Sequence, residues 1–585
     1  MRLSLTSDVW WKNAVIYCLD IETYADGNGD GIGDFRGAMQ HIDHLDRMGV
    51  TCIWLMPFFP TPDRDDGYDI TDFYSVDPRL GTLGDFVEFM RVAGDRGIRV
   101  IADLVVNHTS DEHPWFKEAR SGRDSHYRDW YIWSDRPEPD DPAGIVFPDQ
   151  ETSLWEHDET SGQYYFHRFY RFQPDLNTAN PVVQDEISRI LGFWMELGLS
   201  GFRVDAVPYL LEQVTEHDED KLPDPHAFFN CLRAFMSRRD GSAVLLGEVN
   251  LPYDDLVKYF GNDLGNQITM CFDFIGMQRM YLSLAREDAR PLRDAMRERP
   301  RPPKDCQWAT FVRNHDELTL DKLSEPEREE VFAAFGPEEN MRLFGRGLRR
   351  RLPTMLGGDI DRIKMVYSLL FSLPGTPVLF YGEEIGMGEN LDLEGRQAVR
   401  TPMQWTPNRN GGFSEADPSK VHGVVRGEYG PERVNVSAQH RDPDSLLVWI
   451  IRLIRNYRDT PELAWGDYTV LDSGPDSGPD SRTDPVLAHR IDFDGATILA
   501  VHNFSDVPTE VELTLDGLDS SKVLTDLLVD GAIEVSDEGR ARFKLGRYGC
   551  RWFRASTPEA APAGSGDTPG KRDHIPKGWV RDESG

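Results

Sequence analysis

The sequence lacks long apolar runs, paired cysteines and a leader-like start. A membrane helix needs about 18 consecutive apolar residues. The sequence has no run of that length, so a membrane span is not expected. The opening stretch MRLSLTSDVWWKN has no apolar core before a small-residue cleavage site, which argues against a secretory signal. The six cysteines are scattered without a CxxC pair, a pattern that disfavours a disulfide framework or a zinc site. We therefore predict a cytoplasmic protein with reduced thiols and no membrane partner.

Positive charge is also scarce. The chain has 64 basic residues against 100 acidic ones, and its net charge of −36 disfavours nucleic acid or anionic lipid as a partner. The apolar fraction of 39% is sufficient for a substantial core, so wholesale disorder is not expected. A chain of 585 residues is long enough for a large barrel with additional domains. The sequence is compatible with a homo-oligomer.

Short apolar segments alternate with helical patterns over most of the chain. The candidate strands are AVIYCLDIETY (14–24), TCIWLMPFF (51–59), RVIADLVVN (99–107), SGFRVDAV (200–207), AVLLGEV (243–249), ITMCFDF (268–274), CQWATFVRN (306–314) and TPVLFYGEE (376–384). Eight strands separated by helices predict an α/β fold, a parallel (β/α)8 TIM barrel. A doubly wound open sheet is the alternative, which the count of eight and the lack of a Gly-rich dinucleotide turn disfavour.

Two long connections and a change of pattern suggest further domains. We predict a catalytic barrel from 1–107 and 181–460, and an inserted subdomain at 108–180. The charged segment 316–360 (LSEPEREEVF, FGRGLRRRL) is helical in period. Polar and apolar residues alternate over 461–555, which predicts a C-terminal antiparallel β domain, and the Pro/Gly/Ser-rich tail 556–585 is expected to be disordered.

Polar residues cluster where four of the predicted barrel strands end. The clusters are DLVVNHT (Asp103, Asn107, His108), GFRVDA (Arg203, Asp205), GEVN (Glu248) and RNHDE (Asn314, His315, Asp316). A single carboxylate at a strand end is often a helix cap or an ion-pair partner, and a lone histidine is more often structural. Because the carboxyl ends of barrel strands share one mouth, four clusters together predict an active site there.

These motifs resemble the sequence regions of the α-amylase superfamily, glycoside hydrolase family 13. FQPDLN (172–177) resembles the fifth region of its α-glucosidase-type members. Within the superfamily the chain most resembles the trehalose synthase group of maltose glucosylmutases, over about residues 9–555. The segments that carry this resemblance are RDDGYDI, GFRVDAVPYL, RNHDELTL, FSLPGTPVLFYGEEIGMGEN and VRTPMQW.

The resemblance assigns roles that the chemistry of a retaining glycosidase needs. Asp205 would be the nucleophile, Glu248 the general acid/base, and Asp316 a stabiliser of the oxocarbenium-like transition state. Arg203 lies two residues from Asp205, on the same face of the strand, where its charge would keep that carboxylate ionised. The expected substrate-binding residues are Asp65, Tyr68, His108, Gln173, Arg203, His315 and Arg400. For Tyr68 and Arg400, ordinary packing or a surface pair is the alternative.

The implied activity is the isomerisation of maltose and trehalose through a covalent glucosyl-Asp205 intermediate. The alternative is an exo-acting α-glucosidase that hydrolyses maltose or short α-glucosides with the same carboxylates. A non-catalytic binding subunit is disfavoured because all three carboxylates are present. Three loop segments depart from the expected pattern and leave the acceptor subsite open: CLDIETYADG, VNLPYDD after Glu248, and LEGRQAV before TPMQW.

Two sets of oxygen ligands suggest structural metal ions. In ADGNGDGIGD, the side chains of Asp26, Asn28, Asp30 and Asp34 with the Ile32 carbonyl would hold Ca²⁺ or Mg²⁺. This loop is not an EF-hand, because the position of the bidentate glutamate is a glycine. A metal-free Asx/Gly turn is the alternative. The resemblance implies a second Ca²⁺ site formed by Asn107, Asp175, Tyr209, Leu210 and Glu212, and no organic cofactor. For Asn107, a structural hydrogen bond is the alternative.

Overall fold

A closed eight-stranded parallel barrel forms the centre of the molecule. The computed structural model describes residues 9–137, 144–211, 225–472 and 484–557. The barrel strands are β1 (Ile16–Leu19), β2 (Cys52–Leu55), β3 (Arg99–Leu104), β4 (Gly201–Val204), β5 (Val244–Gly247), β6 (Met270–Phe272), β7 (Gln307–Phe311) and β8 (Thr376–Phe380). Each lies inside a segment that the sequence predicts as a strand, and β8 pairs with β1 to close the barrel. The predicted barrel is therefore confirmed.

Nearly every barrel-strand residue is buried, because side chains point alternately into the barrel and towards the surrounding helices. Strand β1 is shorter than predicted. Asp20 directly follows it, and the Asp20 carboxylate accepts a hydrogen bond from the Glu22 N–H at 3.0 Å. This cap begins a helical turn, Ile21–Tyr24, where the sequence pattern predicted strand.

Helices follow the strands around the barrel. Those of six or more residues are Phe35–Gln40, Ile42–Met48, Leu83–Gly94, Pro114–Ala119, Pro181–Glu196, Pro225–Ser237, Phe274–Arg286, Arg290–Glu298, Glu325–Phe335, Ile360–Ser372 and Leu446–Arg458. Four-residue helices are Ile21–Tyr24, Tyr253–Leu256, Leu352–Met355, Val436–Gln439 and Glu462–Trp465. Where the structure describes the chain, no helix is long and apolar enough to cross a membrane.

The segment between β3 and β4 carries a small antiparallel sheet of its own. Its strands are Trp133–Ser134, Trp155–Asp158 and Gln163–Phe166. Two isolated bridges, His108 with Asp175 and Tyr131 with Leu176, hold the end of this segment against the chain that leaves β3. The inserted segment is thus fastened at the carboxyl end of the barrel strands.

The segment after β7 is only partly helical. It contains the predicted helix at Glu325–Phe335, but FGRGLRRRL (344–352) forms a turn followed by the strand Gly347–Leu348. This strand belongs to a three-stranded sheet with Leu318–Thr319 and Arg342–Leu343. A tight turn joins Arg342–Leu343 to Gly347–Leu348, with the Arg346 N–H donating to the Leu343 carbonyl at 3.3 Å. The helical prediction for this stretch was therefore wrong, because a local turn outweighs the charge periodicity.

The C-terminal part is antiparallel β. A six-stranded sheet contains Asp467–Leu471, Val486–Phe493, Ala496–Asn503, Val523–Asp526, Ala532–Glu534 and Cys550–Ser556, and a two-stranded sheet contains Thr509–Thr514 and Arg540–Leu545. Two buried histidines contact a barrel helix: His489 lies 2.8 Å from the Ser372 carbonyl, and His502 lies 3.0 Å from the Ser368 hydroxyl. The tail from residue 558, where disorder was predicted, lies outside the described residues.

Candidate active site

A buried guanidinium organises the carboxylates at the barrel mouth. Arg203, near the end of β4, has no exposed surface and donates to Asp103 Oδ1 at 2.8 Å. It also forms ion pairs with Asp205 and with Glu248 Oε2, the latter at 2.8 Å. One cation therefore contacts three carboxylates that come from the ends of β3, β4 and β5. Its own pKa is raised, because burial, which alone would lower it, is outweighed by these anions.

Asp103 belongs to the predicted cluster at the end of β3, where the sequence assigned it no role, and in the structure it contacts Arg203. Its second oxygen, Oδ2, accepts from Trp54 Nε1 at 2.9 Å and from the Tyr68 hydroxyl at 3.3 Å. With both oxygens engaged, Asp103 cannot turn towards the cavity. Asp103 therefore orients Arg203, whereas Asp205 and Glu248 line the cavity.

Both cavity carboxylates bind a proton more tightly than they would in water. Burial raises the pKa of Asp205 to about 6, and the Arg203 charge opposes that rise. Burial likewise raises the pKa of Glu248 to about 7, with a further rise from the Asp205 charge and an opposing effect from Arg203. Glu248 Oε2 also accepts the Ala206 N–H at 3.1 Å. Near neutral pH, the pair can hold one ionised and one protonated carboxyl group.

Asp316 is held ionised by surrounding cations. Its Oδ1 lies 3.0 Å from Arg396 Nη1 and 3.0 Å from Arg400 Nη2. Burial would raise the pKa of Asp316, but the charges of Arg396 and Arg400 lower it below its usual value. His315 Nε2 lies 2.7 Å from the Tyr68 hydroxyl and 3.3 Å from Asp316 Oδ2. Burial lowers the pKa of His315 well below its usual value, so its ring stays neutral.

The other predicted substrate residues lie in or directly behind the same cavity. Its volume is about 410 Å³, and the lining includes Asp65, Tyr68, His108, Asp205, Glu248 and Asp316. Gln173, Arg203, His315 and Arg400 stand behind that lining and hold it in place. The Gln173 side chain donates to Asp65 Oδ2 at 2.8 Å, and His108 Nε2 lies 3.2 Å from the Tyr68 carbonyl. Burial raises the pKa of Asp65 to about 7.

The sequence did not predict Arg396 or Asp66 as residues of this site. Arg396 lines the cavity and contacts both Asp316 and Glu317, the latter at 2.7 Å. Asp66 forms an ion pair with Arg400. The signal for Arg396 was present in GRQAVR, where it stands four residues before Arg400, but that loop was considered only as a departure from the family pattern. Asp66 stands beside Asp65 in RDDGYDI and carries no separate sequence signal.

The loop expected to bind a cation is a series of Asx turns. Asp26, Asn28 and Asp30 each accept the N–H two residues further on, at 2.9–3.0 Å. Asp34 accepts the N–H three residues further on at 2.7 Å and begins a helix. The side-chain oxygens of this loop and the Ile32 carbonyl are the kind of ligand that a hard cation prefers. In the structure, the side-chain oxygens accept hydrogen bonds from the backbone N–H groups of the same loop. In the described ranges no group of three or more His, Cys, Asp or Glu side chains is placed to hold a metal.

The second expected metal set is brought together in part. The Asn107 carbonyl accepts a hydrogen bond from the backbone N–H of Leu176 at 2.8 Å. The carboxylate of the preceding residue, Asp175, accepts the Arg168 N–H at 2.9 Å. Tyr209 and Leu210 follow β4. The Leu210 carbonyl accepts a hydrogen bond from the Thr178 hydroxyl of the inserted segment at 2.5 Å. Glu212 lies outside the described residues. These donors are oxygens, as Ca²⁺ requires, so the set fits the ion in chemistry.

The arrangement suits double displacement at a glycosidic carbon. A retaining glycosidase needs one carboxylate that attacks and a second carboxyl group that gives and takes a proton. Asp205 and Glu248 meet that need: they line one cavity, share Arg203, and each has a pKa raised by burial, that of Glu248 also by the Asp205 charge. Asp316, a neighbouring fixed anion, would stabilise positive charge that develops on a sugar ring.

Comparison with known proteins agrees with this chemistry. The "Alpha amylase, catalytic domain" family matches residues 20–329 and 341–466, and the "Sucrose hydrolase-like, C-terminal domain" family matches 495–554. The chain is 40% identical to the trehalose synthase of Pimelobacter sp. over 94% of its length and 96% of that protein. It is also 40% identical to the trehalose synthase/amylase of Mycobacterium tuberculosis, covering 94% of this chain and 91% of that one.

A solved structure shows the same fold. The α-amylase of H. orenii superposes with a TM-score of 0.73 at 25% identity, over 93% of this chain and all of that one. Together with the matched catalytic domain and the 40% identical relatives, this likeness identifies both the architecture and the enzyme class. The chain belongs to the α-amylase family, glycoside hydrolase family 13, and is a trehalose synthase-like enzyme of that family.

Proposed function

We propose that this enzyme interconverts maltose and trehalose by intramolecular glucosyl transfer. Asp205 attacks the anomeric carbon of the non-reducing glucose while Glu248 donates a proton to the departing glycosidic oxygen. Free glucose and a β-glucosyl-Asp205 ester result. The released glucose then turns and attacks the ester through its anomeric hydroxyl, which gives its proton to Glu248 and restores the Asp205 carboxylate. The observation that carries the proposal is the Asp205–Arg203–Glu248 arrangement in a small cavity.

The surrounding charges support each step of that cycle. Arg203 stabilises the carboxylate of Asp205, which must be ionised to attack and again when it departs. Burial of Glu248 supplies a carboxyl group that is partly protonated near neutral pH. Asp316 is ionised in advance by its two arginines and does not have to reorganise when the sugar ring becomes positive.

The second candidate function is hydrolysis of maltose or short α-glucosides. It uses the same three carboxylates, and only the acceptor differs, because water replaces glucose. The Mycobacterium tuberculosis relative is named trehalose synthase/amylase, so both isomerisation and hydrolysis are considered for this chain. Isomerisation is favoured because the relatives that are 40% identical over 94% of this chain are named as trehalose synthases. Isomerisation also requires that the cavity retain the released glucose and exclude water.

Incubation of the purified enzyme with maltose tests the proposal. We expect trehalose to accumulate in excess over free glucose, and maltose to form when trehalose is supplied. Both sugars and glucose can be quantified by chromatography with a pulsed electrochemical detector. An Asp205→Asn preparation serves as control for contaminating activities. Glucose without any trehalose would show the hydrolytic alternative to be correct.

We further propose two structural Ca²⁺ ions, with Mg²⁺ as an alternative at the loop of Asp26, Asn28, Asp30, Ile32 and Asp34. The oxygen-only donor sets support this proposal. After dialysis against calcium and then buffer, elemental analysis should find about two equivalents of metal per chain. Asp30→Ala should remove one equivalent and lower the melting temperature, whereas Asp263→Ala, on an exposed turn, should change neither. A metal-free wild-type protein would contradict the proposal.

The remaining expectations concern partners and location. Small α-glucosides are the proposed partners, since the cavity is of disaccharide scale. All six cysteines are free in the structure, which supports a reducing cytoplasm as the proposed location. Assembly into a homo-oligomer stays a prediction.

A further inference from the structure

A phenylalanine occupies a backbone position that normally excludes bulky residues. Phe344 has φ 55° and Gly345 has φ 61°, and together they form the two central positions of the turn from Leu343 to Arg346. The strand register pairs Leu343 with Gly347, so the hairpin loop has three residues. Within it, the hydrogen-bonded turn from Leu343 to Arg346 has two central residues with positive φ, as in a type I′ turn, whose first central residue is usually Asn, Asp or Gly. A phenylalanine there strains the backbone. The side chain must therefore contribute something that an asparagine would not.

The Phe344 ring packs against the wall of the active-site cavity. Its centroid lies 4.9 Å from that of Phe147, and the Arg396 guanidinium carbon lies 5.7 Å from Phe344 and 5.1 Å from Phe147. Arg346, from the same turn, packs on Phe344 at 5.6 Å. Phe147 and Arg396 line the cavity, whereas Phe344 stands behind them and is 8% exposed.

Three separate segments meet at this contact. Phe147 belongs to the inserted segment after β3, Phe344 to the hairpin after β7, and Arg396 to the loop after β8. Cation–aromatic and aromatic pairs hold the three together without any covalent link. Arg396 cannot move away from the cavity while both rings pack against it and while Asp316 and Glu317 hold its nitrogens.

We infer that Phe344 is a positioning residue that keeps the wall of Phe147 and Arg396 closed and so restricts the enzyme to short α-glucosides. A wall at that point leaves a cavity near the small end of the about 300–1,000 Å³ range of ligand pockets. A longer glucan would have to displace Phe147 or Arg396, and steric exclusion of this kind is how a site discriminates against larger substrates. The inference rests on the proposed glucosyl-transfer site.

The test compares a trisaccharide with a disaccharide. Phe344→Asn gives the turn its preferred residue and removes the ring, so the hairpin should form at least as well as before. We expect the ratio of kcat/KM for maltotriose to kcat/KM for maltose to rise about tenfold, in the range that removal of a steric contact allows. Total sugar conversion is measured, so the ratio is defined for both isomerisation and hydrolysis. Phe344→Tyr, which keeps the ring, should retain the wild-type ratio.

Phe493→Asn serves as the matched control, because Phe493 also precedes a positive-φ residue, Asp494, at a hairpin, but in the C-terminal sheet. Its ratio should equal that of the wild type. A ratio for Phe344→Asn within twofold of the wild type would overturn the inference, whatever its melting temperature. If that variant does not fold, Phe344→Leu replaces it with the same criterion. A wild type that forms no trehalose would refute only the isomerase proposal, since the ratio remains measurable.

Discussion

Replacing Asp205 by asparagine is expected to lower kcat/KM on maltose by about 10⁴-fold or more, because no nucleophile remains to form the glucosyl ester. The amide retains the size of the carboxylate. Arg203 keeps its contacts with Asp103 and Glu248, so the buried cation is not left without anions. The loss should therefore come from chemistry and leave the fold intact, which circular dichroism and the melting temperature would show.

The measurement for Asp205→Asn is the initial rate of maltose consumption at saturating and limiting substrate. Asp294→Asn makes the same substitution at an exposed position of the helix Arg290–Glu298 and should retain wild-type activity. A fluorinated glucosyl donor that forms a long-lived ester should add mass to the peptide containing Asp205 in the wild type and add none in the variant. Retention of even a tenth of wild-type activity would show that another residue is the nucleophile.

The second large effect is expected for Glu248→Gln, whose amide cannot transfer a proton. The rate on maltose should fall by about 10³-fold, within the range of general acid–base catalysis. The fall should be much smaller for 4-nitrophenyl α-glucoside in the first half-reaction, because nitrophenolate departs without protonation. Burst kinetics of nitrophenol release would measure this difference. An equal loss on both substrates would contradict the assignment of Glu248 as the acid.

The pH profile provides an independent measurement of the same pair. Activity requires Asp205 ionised and Glu248 protonated, so kcat/KM should rise through about pH 6 and decrease above about pH 7. Because the two groups interact, these limits belong to the pair as a whole. Glu248→Gln should lose the decrease on the alkaline side and retain the acidic limb. An alkaline limb that persists in the variant would assign that limb to another group.

The barrel could be predicted from sequence because its strands are short, apolar and bounded by helical periods. Asp205 and Glu248 were predictable for a related reason: each follows a strand, and the ends of parallel strands share one mouth. The extent of β1 was not predictable from apolar pattern alone. Apolar and polar residues alternate to Tyr24 as in a strand, but the Asp20 side chain caps the next turn and the strand ends at Leu19.

The parts of the site that come from loops were harder to predict. Arg396 owes its role to contacts with Asp316 and Phe147, residues that are distant in sequence. Neither the spacing of apolar residues nor secondary-structure propensity predicts a contact between residues so distant in sequence. The stretch around Phe344 was predicted as helix from the charged, helical period of 316–360. Its turn instead depends on two positive φ angles, one of them at a phenylalanine, which seldom adopts such an angle. Loop chemistry of this kind becomes visible only in three dimensions.

The pairing of β1 with β8 has a consequence for how the chain is made. Ile16 lies beside Val378, so the edge of β1 has no partner on that side until more than half of the chain has been synthesised. At about 5–20 residues per second, the wait lasts on the order of 20–70 s. During that interval the unpaired edge of an apolar strand can pair with other chains. The nascent chain is therefore expected to need a chaperone until residue 380 has left the exit tunnel, whereas the C-terminal sheet pairs strands that are close in sequence.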